Sequence, residues 1–314
     1  MSISIHIPFY NPNPEKKEGF RNLTRFDYLQ ENISGLKNLS IKTNIFIHTH
    51  NNFLDNKSLD AKIINHKISY DELNKGYLTW LTRPEMKKQK NDYEYYMYLE
   101  HDIKFTEENL QYYLKYQKNF SERKYNLGFL IYEKNNEDNK NYSVHVSNRL
   151  NNYIHIEDRN YFINDIENYC CFWIYDKNQF NDFLDSKWWN FEKKVHNYRH
   201  HYGTTERSSI GFNALNINYF KATLLPEIDN KPDPGSFVEH MTNNYQNRFD
   251  EFKGMGFKDI RGVCTLKLAE VFAENNLKKQ SSLTLFLRRI SKIIYWNSRF
   301  ITRLFKKKHN KKTN

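Results

Sequence analysis

The chain has 314 residues, a size that allows one large α/β domain or two smaller ones with a substantial buried core. Its formal net charge of +11 is concentrated at one end. Residues 278–314 contain 12 Lys and Arg and no acid, whereas the rest of the chain has 36 basic and 37 acidic residues. A nearly neutral body argues against a broadly basic nucleic-acid-binding domain.

The cysteines and the N-terminus indicate the compartment. Three cysteines, at positions 170, 171 and 264, give neither a disulfide framework nor the paired spacing of a zinc site. The stretch "MSISIHIPFYNPNP" has no positive region before its apolar residues, so it resembles neither a signal peptide nor a membrane span. These features predict a cytoplasmic protein whose chain opens with a strand.

The first 130 residues alternate between strand-like and helix-like patterns. Apolar, β-branched runs predict strands, and apolar residues three and four apart predict helices. In chain order the predictions are a strand Ser2–Pro8, a helix Phe20–Leu39, strands Lys42–Thr49 and Ala61–Ser69, a helix Asp71–Lys90, a strand Tyr95–Leu99, a helix from the N-cap Thr106 to about Phe120, and a strand Leu127–Tyr132. This order predicts an α/β fold with a mostly parallel, helix-covered sheet, where ligands bind beyond the carboxyl ends of the strands.

The pattern is looser in the second half of the chain. Glu133–Tyr142 is polar and predicts a surface loop, Cys170–Tyr175 and Ala222–Pro226 predict strands, and a helix is expected to begin at Asn178. From Leu283 to Phe305 a helical period places apolar residues on one face and Arg and Lys on the other. This predicts a basic amphipathic C-terminal helix that is too charged to span a bilayer.

The stretch "YYMYLEHDI" brings two carboxylates to the end of an apolar strand. If the strand stays extended, Glu100 and Asp102 point the same way and can converge on one cation, while His101 points elsewhere. Two hard oxygen ligands suit Mg²⁺ or Mn²⁺. The alternative is that the strand simply leaves the core here and that both acids are solvated.

These residues resemble the strand and DxD motif of the GT-A superfamily of nucleotide-sugar glycosyltransferases. The opening "ISIHIPFYN" is similar to the first strand of that superfamily, and the likeness covers about the first 130 residues. It implies that Asp102 binds the metal, that Glu100 contributes to the metal and donor site directly or through water, and that Pro8, Tyr10 and Asn11 lie near the base and ribose. An ordinary turn at Asn-Pro-Asn-Pro is the alternative for those last three.

Two later segments resemble further parts of such enzymes. Glu206 in "TTERSSIGFN" resembles the acid that serves as general base for the acceptor hydroxyl, although a Glu at a helix start is also stabilised by the helix dipole. His240 in "VEHMTNNY" resembles a late His that completes the metal sphere, with Glu239 as an alternative ligand. His48 and His50, and the adjacent His200 and His201, lack an acidic partner at a recognisable spacing, so surface or acceptor-loop roles are expected for them.

The sequence therefore predicts a metal-dependent glycosyltransferase that moves a sugar from a nucleotide-sugar donor to a glycan or glycolipid acceptor, with inversion. Residues 1–130 form the nucleotide-sugar half, 131–277 the acceptor half of the same domain, and 278–314 a basic tail. The tail predicts a peripheral position on the anionic inner face of a membrane. The alternatives are a nucleotidyltransferase on a similar fold and a non-catalytic protein that binds membrane or nucleic acid; nucleic acid is the less expected partner.

Overall fold

The computed structural model shows an α/β architecture with a parallel-rich central sheet, as the sequence predicts. It describes residues 1–19, 21–50, 52–121, 125–135, 137–144, 146, 149–164, 169–186, 188–190, 203–214, 223–243, 245, 266–272, 277–281, 283, 284, 287, 290, 291 and 294. The strands are β1 Ser2–Pro8, β2 Lys17–Glu18, β3 Leu23–Thr24, β4 Lys42–Thr49, β5 Lys62–Asn65, β6 Tyr95–Leu99, β7 Ile103–Lys104, β8 Leu130–Lys134, β9 Asn141–Ser143, β10 Asn152–Ile156, β11 Arg159–Asn164, β12 Phe172–Asp176, β13 Thr223–Ile228, β14 Lys231–Pro232, β15 Phe237–His240 and β16 Lys278–Lys279. The α-helices are α1 Arg25–Lys37, α2 Tyr70–Asn74, α3 Thr82–Lys88, α4 Glu107–Ser121, α5 Lys177–Asp185 and α6 Thr204–Ser209, and short 3₁₀ helices lie at Asn52–Leu54, Tyr77–Leu81, Gly211–Ala214, Pro234–Ser236 and Leu268–Glu270.

The central sheet has the strand order β12-β6-β1-β4-β5. β1 pairs in parallel with β4 and β6, and β4 pairs in parallel with β5, while β12 is antiparallel at the edge. β1 is buried along nearly its whole length, because helices and loops cover both faces of the sheet. The predicted bounds of β1, β4 and β6 are confirmed to the residue.

The first two predicted helices differ from the observed ones. α1 begins at Arg25, five residues later than the pattern suggested, because Thr24 and Asp27 form a capping box and fix the start there. The predicted helix Asp71–Lys90 is divided into α2, a 3₁₀ turn and α3. Gly76 breaks it in the left-handed conformation, with φ of 81°. The next helix was placed correctly, since Thr106 and Asn109 cap each other at the start of α4.

Three further sheets complete the described part of the fold, one of them the short pair β2-β3. Another has the order β7-β15-β8-β9, with β15 parallel to β8 and antiparallel to β7. The third has the order β14-β13-β11-β10-β16. The prediction of a surface loop at Glu133–Tyr142 was wrong at its ends, because β8 extends through Lys134 and β9 begins at Asn141. The strands β10, β11 and β15 were not predicted.

Three imidazoles, the buried His6 and His48 and the half-buried His66, form a hydrogen-bonded chain against the central sheet. His6 Nδ1 lies 2.8 Å from His48 Nε2, and His48 Nδ1 lies 2.8 Å from His66 Nε2. The His6 end of this chain of imidazoles is fixed by Gln89 Oε1, which accepts from Ser4 Oγ at 2.7 Å and lies 3.1 Å from His6 Nε2. With Gln89 as terminal acceptor, each ring is neutral and donates through Nε2–H. The expectation of a surface role for His48 was wrong, since its side chain is buried.

The predicted division at residue 130 crosses one hydrophobic core, to which residues from Ile3 to Val238 contribute. Cys170 and Cys171 are buried, and Cys264, His200 and His201 lie outside the described residues. Most of the predicted helix from Leu283 to Phe305 also lies outside them, although the described positions 283, 284, 287, 290, 291 and 294 are helical. Within the described residues no helix has the length and apolarity needed to cross a membrane.

Candidate active site

A cleft of about 350 Å³ opens beyond the carboxyl ends of β1 and β6. Its described walls combine acids, imidazoles and tyrosines with a guanidinium. They are formed by Pro8, Tyr10, Arg25, Leu73, Gly76, Leu78, Thr79, Glu100, His101, Asp102, Thr205, His240 and Tyr245. The walls thus include five of the predicted site residues (Pro8, Tyr10, Glu100, Asp102 and His240), whereas Asn11 and Glu206 are not among these wall residues.

Asp102 and His240 meet because two strands far apart in sequence are neighbours in the β7-β15-β8 sheet. The register pairs His240 with Ile103, so Asp102, which directly precedes β7, lies beside the imidazole. The two side chains approach to 3.2 Å between Asp102 Oδ2 and His240 Nε2. The Met241 amide also donates to the Asp102 carbonyl, at 2.9 Å, which fixes the two segments together.

Glu133 is a site residue that the sequence analysis missed. Its Oε1 lies 2.5 Å from His240 Nδ1, and its side chain is fully buried. The imidazole is therefore held between two carboxylates, Asp102 and Glu133. The polar composition of residues 133–142 concealed Glu133; the apolar run Leu127–Tyr132 directly before it was the signal that the strand could continue.

The charges of Asp102 and Glu133 change the pKa of His240, and the charge of His240 changes the pKa of Asp102. Burial opposes the charged form of His240, but the negative charges of Asp102 and Glu133 and their hydrogen bonds raise the pKa of its imidazole well above the usual value. Burial likewise opposes the charged form of Asp102, but the neighbouring His101 and His240 hold the pKa of that carboxyl well below its usual value. Without a bound cation, the Asp102 carboxylate and the His240 imidazolium therefore form a buried ion pair.

Glu100 faces a different part of the cleft. Its Oε1 accepts from the Tyr169 hydroxyl at 3.0 Å, and its amide donates to the carbonyl of Cys171 at 3.2 Å. Burial, with the negative charge of Asp102 as the second cause, raises the pKa of Glu100 to about 8. The carboxyl is thus an acid that keeps its proton near neutral pH.

The expectation that side-chain alternation would turn His101 away from the cleft was wrong, because the chain is not extended there. Residues 100–103 form a turn in which the Ile103 amide donates to the Glu100 carbonyl at 3.2 Å. The Asn32 amide, buried on α1, fixes this turn by donating to the His101 carbonyl at 3.2 Å. His101 consequently lines the cleft, and its buried Nε2 has no hydrogen-bond partner among the described residues.

The segment after β1 supplies the opposite end of the cleft. The Tyr10 hydroxyl donates to Asn74 Oδ1 at 3.3 Å, and its ring packs edge-on against His50. Asn11 is 5% exposed, and neither Nδ2 nor Oδ1 of its amide has a hydrogen-bond partner in the described part of the chain. Arg25, also missed from the sequence, donates to the Tyr10 carbonyl at 2.9 Å and to Glu18 at 3.1 Å.

Glu206 lies on α6, three residues after the Gly203 N-cap. Its carboxylate lies against the Cα of Gly203, at the start of its own helix, where a negative charge is stabilised by the helix dipole. Thr205, the preceding residue, reaches the cleft and packs against Gly76. The helix therefore borders the cleft, while the Glu206 carboxylate lies at the helix start.

The donor atoms present fit a divalent cation with two protein ligands. Adjacent ligands at about 2.1 Å from an octahedral ion are about 3 Å apart, close to the 3.2 Å between Asp102 Oδ2 and His240 Nε2. Glu100 bonds Tyr169 instead, and the predicted alternative ligand Glu239 lies 3.8 Å from Lys104 Nζ. Accordingly, the described residues contain no group of three or more His, Cys, Asp or Glu arranged to hold a metal.

No protein-family model and no curated protein sequence matches the chain. Among solved structures, mouse xyloside xylosyltransferase 1 in its apo form is similar at 11% sequence identity and a TM-score of 0.35, covering 91% of this chain and 99% of that one. A 4-diphosphocytidyl-2C-methyl-D-erythritol synthase from Anaerococcus prevotii is similar at 14% identity and a TM-score of 0.30, covering 62% of this chain and 78% of that one. Likenesses at this level carry no functional argument, so function has to be argued from the site and its motifs.

Proposed function

We propose that the protein is a metal-dependent glycosyltransferase that moves a sugar from a nucleotide-sugar donor to a glycan or glycolipid acceptor. The observation that carries this proposal is the meeting of Asp102 and His240 in a cleft beyond the carboxyl ends of parallel strands. This is where α/β sheets bind ligands. The motifs "PFYN" and "EHD", which resemble those of GT-A enzymes, border the same cleft.

In the proposed site Asp102 and His240 would hold Mn²⁺ or Mg²⁺, and oxygens of the donor diphosphate would complete the ligand set. The ion would stabilise the negative charge that develops on the departing nucleoside diphosphate. Glu100, which is hydrogen-bonded to Tyr169, is proposed to border the donor site without contacting the ion directly. Arg25 adds a second cation to the wall, and a guanidinium has donors left for phosphate after its bonds to Tyr10 and Glu18.

The nucleoside end of the donor is proposed to bind at Pro8, Tyr10 and Asn11. The buried Asn11 amide supports this, because it offers one donor group and one acceptor with no partner among the described residues. Leaving both unpaired is costly unless a ligand pairs with them, and a base edge or a ribose hydroxyl could do so.

Glu206 is the proposed general base, which takes the proton of the acceptor hydroxyl as that oxygen attacks the anomeric carbon in a single, inverting displacement. In this role the carboxylate must turn from Gly203 toward the part of the cleft that Thr205 lines. The rotation would give up the interaction with the helix start, and such an interaction typically stabilises a carboxylate by about 0.3–1 kcal/mol.

Binding of nucleoside diphosphates to the full chain tests the proposal. With a panel that varies the base, calorimetry is expected to find at least one diphosphate whose affinity rises about tenfold or more on adding Mn²⁺ and falls again with a chelator. The matching nucleotide sugars should then be hydrolysed slowly in the presence of the metal. If no member of the panel binds in a metal-dependent way, the proposal is wrong.

The acceptor is proposed to be presented at an anionic membrane surface, to which the C-terminal tail binds. The Ser281 hydroxyl accepts from the Thr284 amide at 3.1 Å and caps the start of the tail helix. Leu283, Leu287, Ile290 and Ile294 then follow with helical spacing and are 39–66% exposed. An exposed apolar stripe in a segment with 12 basic residues and no acid complements an anionic bilayer.

Replacing those four apolar residues with Ser keeps every charge and is expected to weaken binding to vesicles that contain phosphatidylglycerol by tenfold or more, since burial of each side chain contributes about 1.5 kcal/mol or more. Co-sedimentation measures the effect. A chain that ends at Ser281 retains β16 and should lose binding completely. Vesicles of phosphatidylcholine alone are the control. If the truncated chain sediments as well as the intact one, the tail is not the membrane anchor.

A further inference from the structure

Glu133 is a buried carboxylate to which neither the motifs nor the fold prediction assigned a role. It lies in β8, which runs parallel to β15, and the register pairs its neighbour Tyr132 with Glu239. Glu133 and His240, the next residues on the two strands, therefore lie side by side. The sheet itself thus places this carboxylate next to the imidazole that lines the cleft.

The hydrogen bonds of Glu133 determine which nitrogen of His240 faces the cleft. Glu133 Oε1 accepts from His240 Nδ1 at 2.5 Å and from the Tyr245 amide at 3.2 Å. A carboxylate can only accept here, so Nδ1 must carry a hydrogen. Nε2, on the far side of the ring, lies 3.2 Å from Asp102 Oδ2 and 3.1 Å from Thr242 Oγ1.

We infer that Glu133 is a positioning residue that holds His240 in its Nδ1–H form and so presents Nε2, together with Asp102, to a divalent cation. Metal-bound histidines commonly donate their second N–H to a carboxylate, which orients the ring and makes the ligand nitrogen more basic. The inference rests on the proposed function, because it assumes that the cation binds at Asp102 and His240.

The neighbouring Glu239 provides a matched control. It is next to His240 in sequence, on the same strand, but its carboxylate lies near Lys104 and it is more exposed than Glu133. Glu133→Gln and Glu239→Gln each remove one negative charge near the imidazole, the first from the neighbouring strand and the second from the preceding residue. If Glu133 acted only through its charge, the two variants would have similar effects.

The experiment measures the binding of Mn²⁺ to the full chain by electron paramagnetic resonance, without nucleotide. Glu133→Gln should weaken Mn²⁺ binding by about 10- to 100-fold, while Glu239→Gln should leave it within about threefold. In a His240→Ala background the Glu133→Gln change should have no further effect, since it acts through the ring. With saturating Mg²⁺ in place of Mn²⁺, imidazole ¹⁵N shifts should show His240 in the Nδ1–H form in the unmodified chain and a loss of that form in Glu133→Gln.

The outcomes separate the inference from the proposed function. If Asp102→Asn binds Mn²⁺ as tightly as the unmodified chain, the cation site and the proposed function fail together. If Asp102→Asn loses Mn²⁺ but Glu133→Gln retains both its affinity and the Nδ1–H form, only the inference on Glu133 fails. Should Glu133→Gln not fold, Glu133→Asp keeps the charge but shortens the reach, and unchanged affinity in that variant would equally overturn the inference.

Discussion

Asp102→Asn is expected to lower the rate of sugar transfer by at least about 100-fold while leaving the fold intact. Asn has almost the same shape and can still accept a hydrogen bond from His240, so packing around the turn at residues 100–103 should persist. It lacks the negative charge that a divalent cation requires from this side of the cleft. The initial rate of metal-dependent transfer or donor hydrolysis measures the effect, and thermal unfolding checks the fold.

Two comparisons make the Asp102 result specific. Asp60→Asn removes an exposed carboxylate that pairs only with Lys37 at 2.9 Å among the described residues, and it should leave the rate unchanged. Glu206→Gln should reduce transfer while sparing metal-dependent nucleotide binding, because it lies outside the cation site. Near-normal turnover of Asp102→Asn at saturating Mn²⁺ would contradict the role assigned to Asp102.

The part of the site predicted from sequence is the part fixed by local pattern. An apolar strand that is buried on both faces has a sharp end in the sequence, so the end of β6 at Leu99 was predicted correctly. The same reasoning failed at His101, because a hydrogen-bonded turn replaces the extended chain there. A tertiary contact, the Asn32 amide on the carbonyls of the turn, helps to hold that turn, and no local pattern contains it.

The remaining differences have the same physical origin. Glu133 lies in a strand because β15 pairs with β8, a contact between segments about a hundred residues apart, and this pairing overrides the polar composition of the segment. At Gly76, where the predicted helix breaks, the backbone lies so close to Thr205 that a side chain would not fit, and this contact is again made across the fold. The resemblance of "VEHMTNNY" to GT-A enzymes made His240 a ligand candidate, but only the sheet register brings it to Asp102.

Acidification below about pH 6.5 is expected to destabilise the protein through the hydrogen-bonded imidazoles of His6, His48 and His66. Burial lowers the pKa of His6 to about 3 and the pKa of His48 well below its usual value, and burial also lowers the pKa of His66. In the unfolded chain these histidines bind protons near pH 6.5, whereas in the folded protein they stay neutral. The free energy of unfolding is therefore undiminished above that pH and decreases as the pH falls below it. Each histidine that stays neutral in the folded protein lowers the free energy of unfolding by about 1.4 kcal/mol for every pH unit below 6.5.

Glu100 acts in the opposite direction. Because its pKa is raised to about 8 from 4.5, the folded protein binds its proton more readily, and this favours folding as the pH falls toward 4.5. One such group offsets about one histidine, so a net loss of stability from the other histidines remains. His240, whose pKa is raised, is protonated in both states below 6.5 and changes little there.

The contribution of His6 to the pH dependence of stability can be isolated by comparing the unmodified protein with His6→Gln, because Glu100 and His240 are common to both. Gln at this position can still accept from His48 but does not titrate. The free energy of unfolding in urea should fall more steeply between about pH 6.5 and pH 5 for the unmodified protein, by about 2 kcal/mol over that interval. Identical slopes for the two proteins would mean that His6 is not held neutral by the fold and has no part in the acid sensitivity.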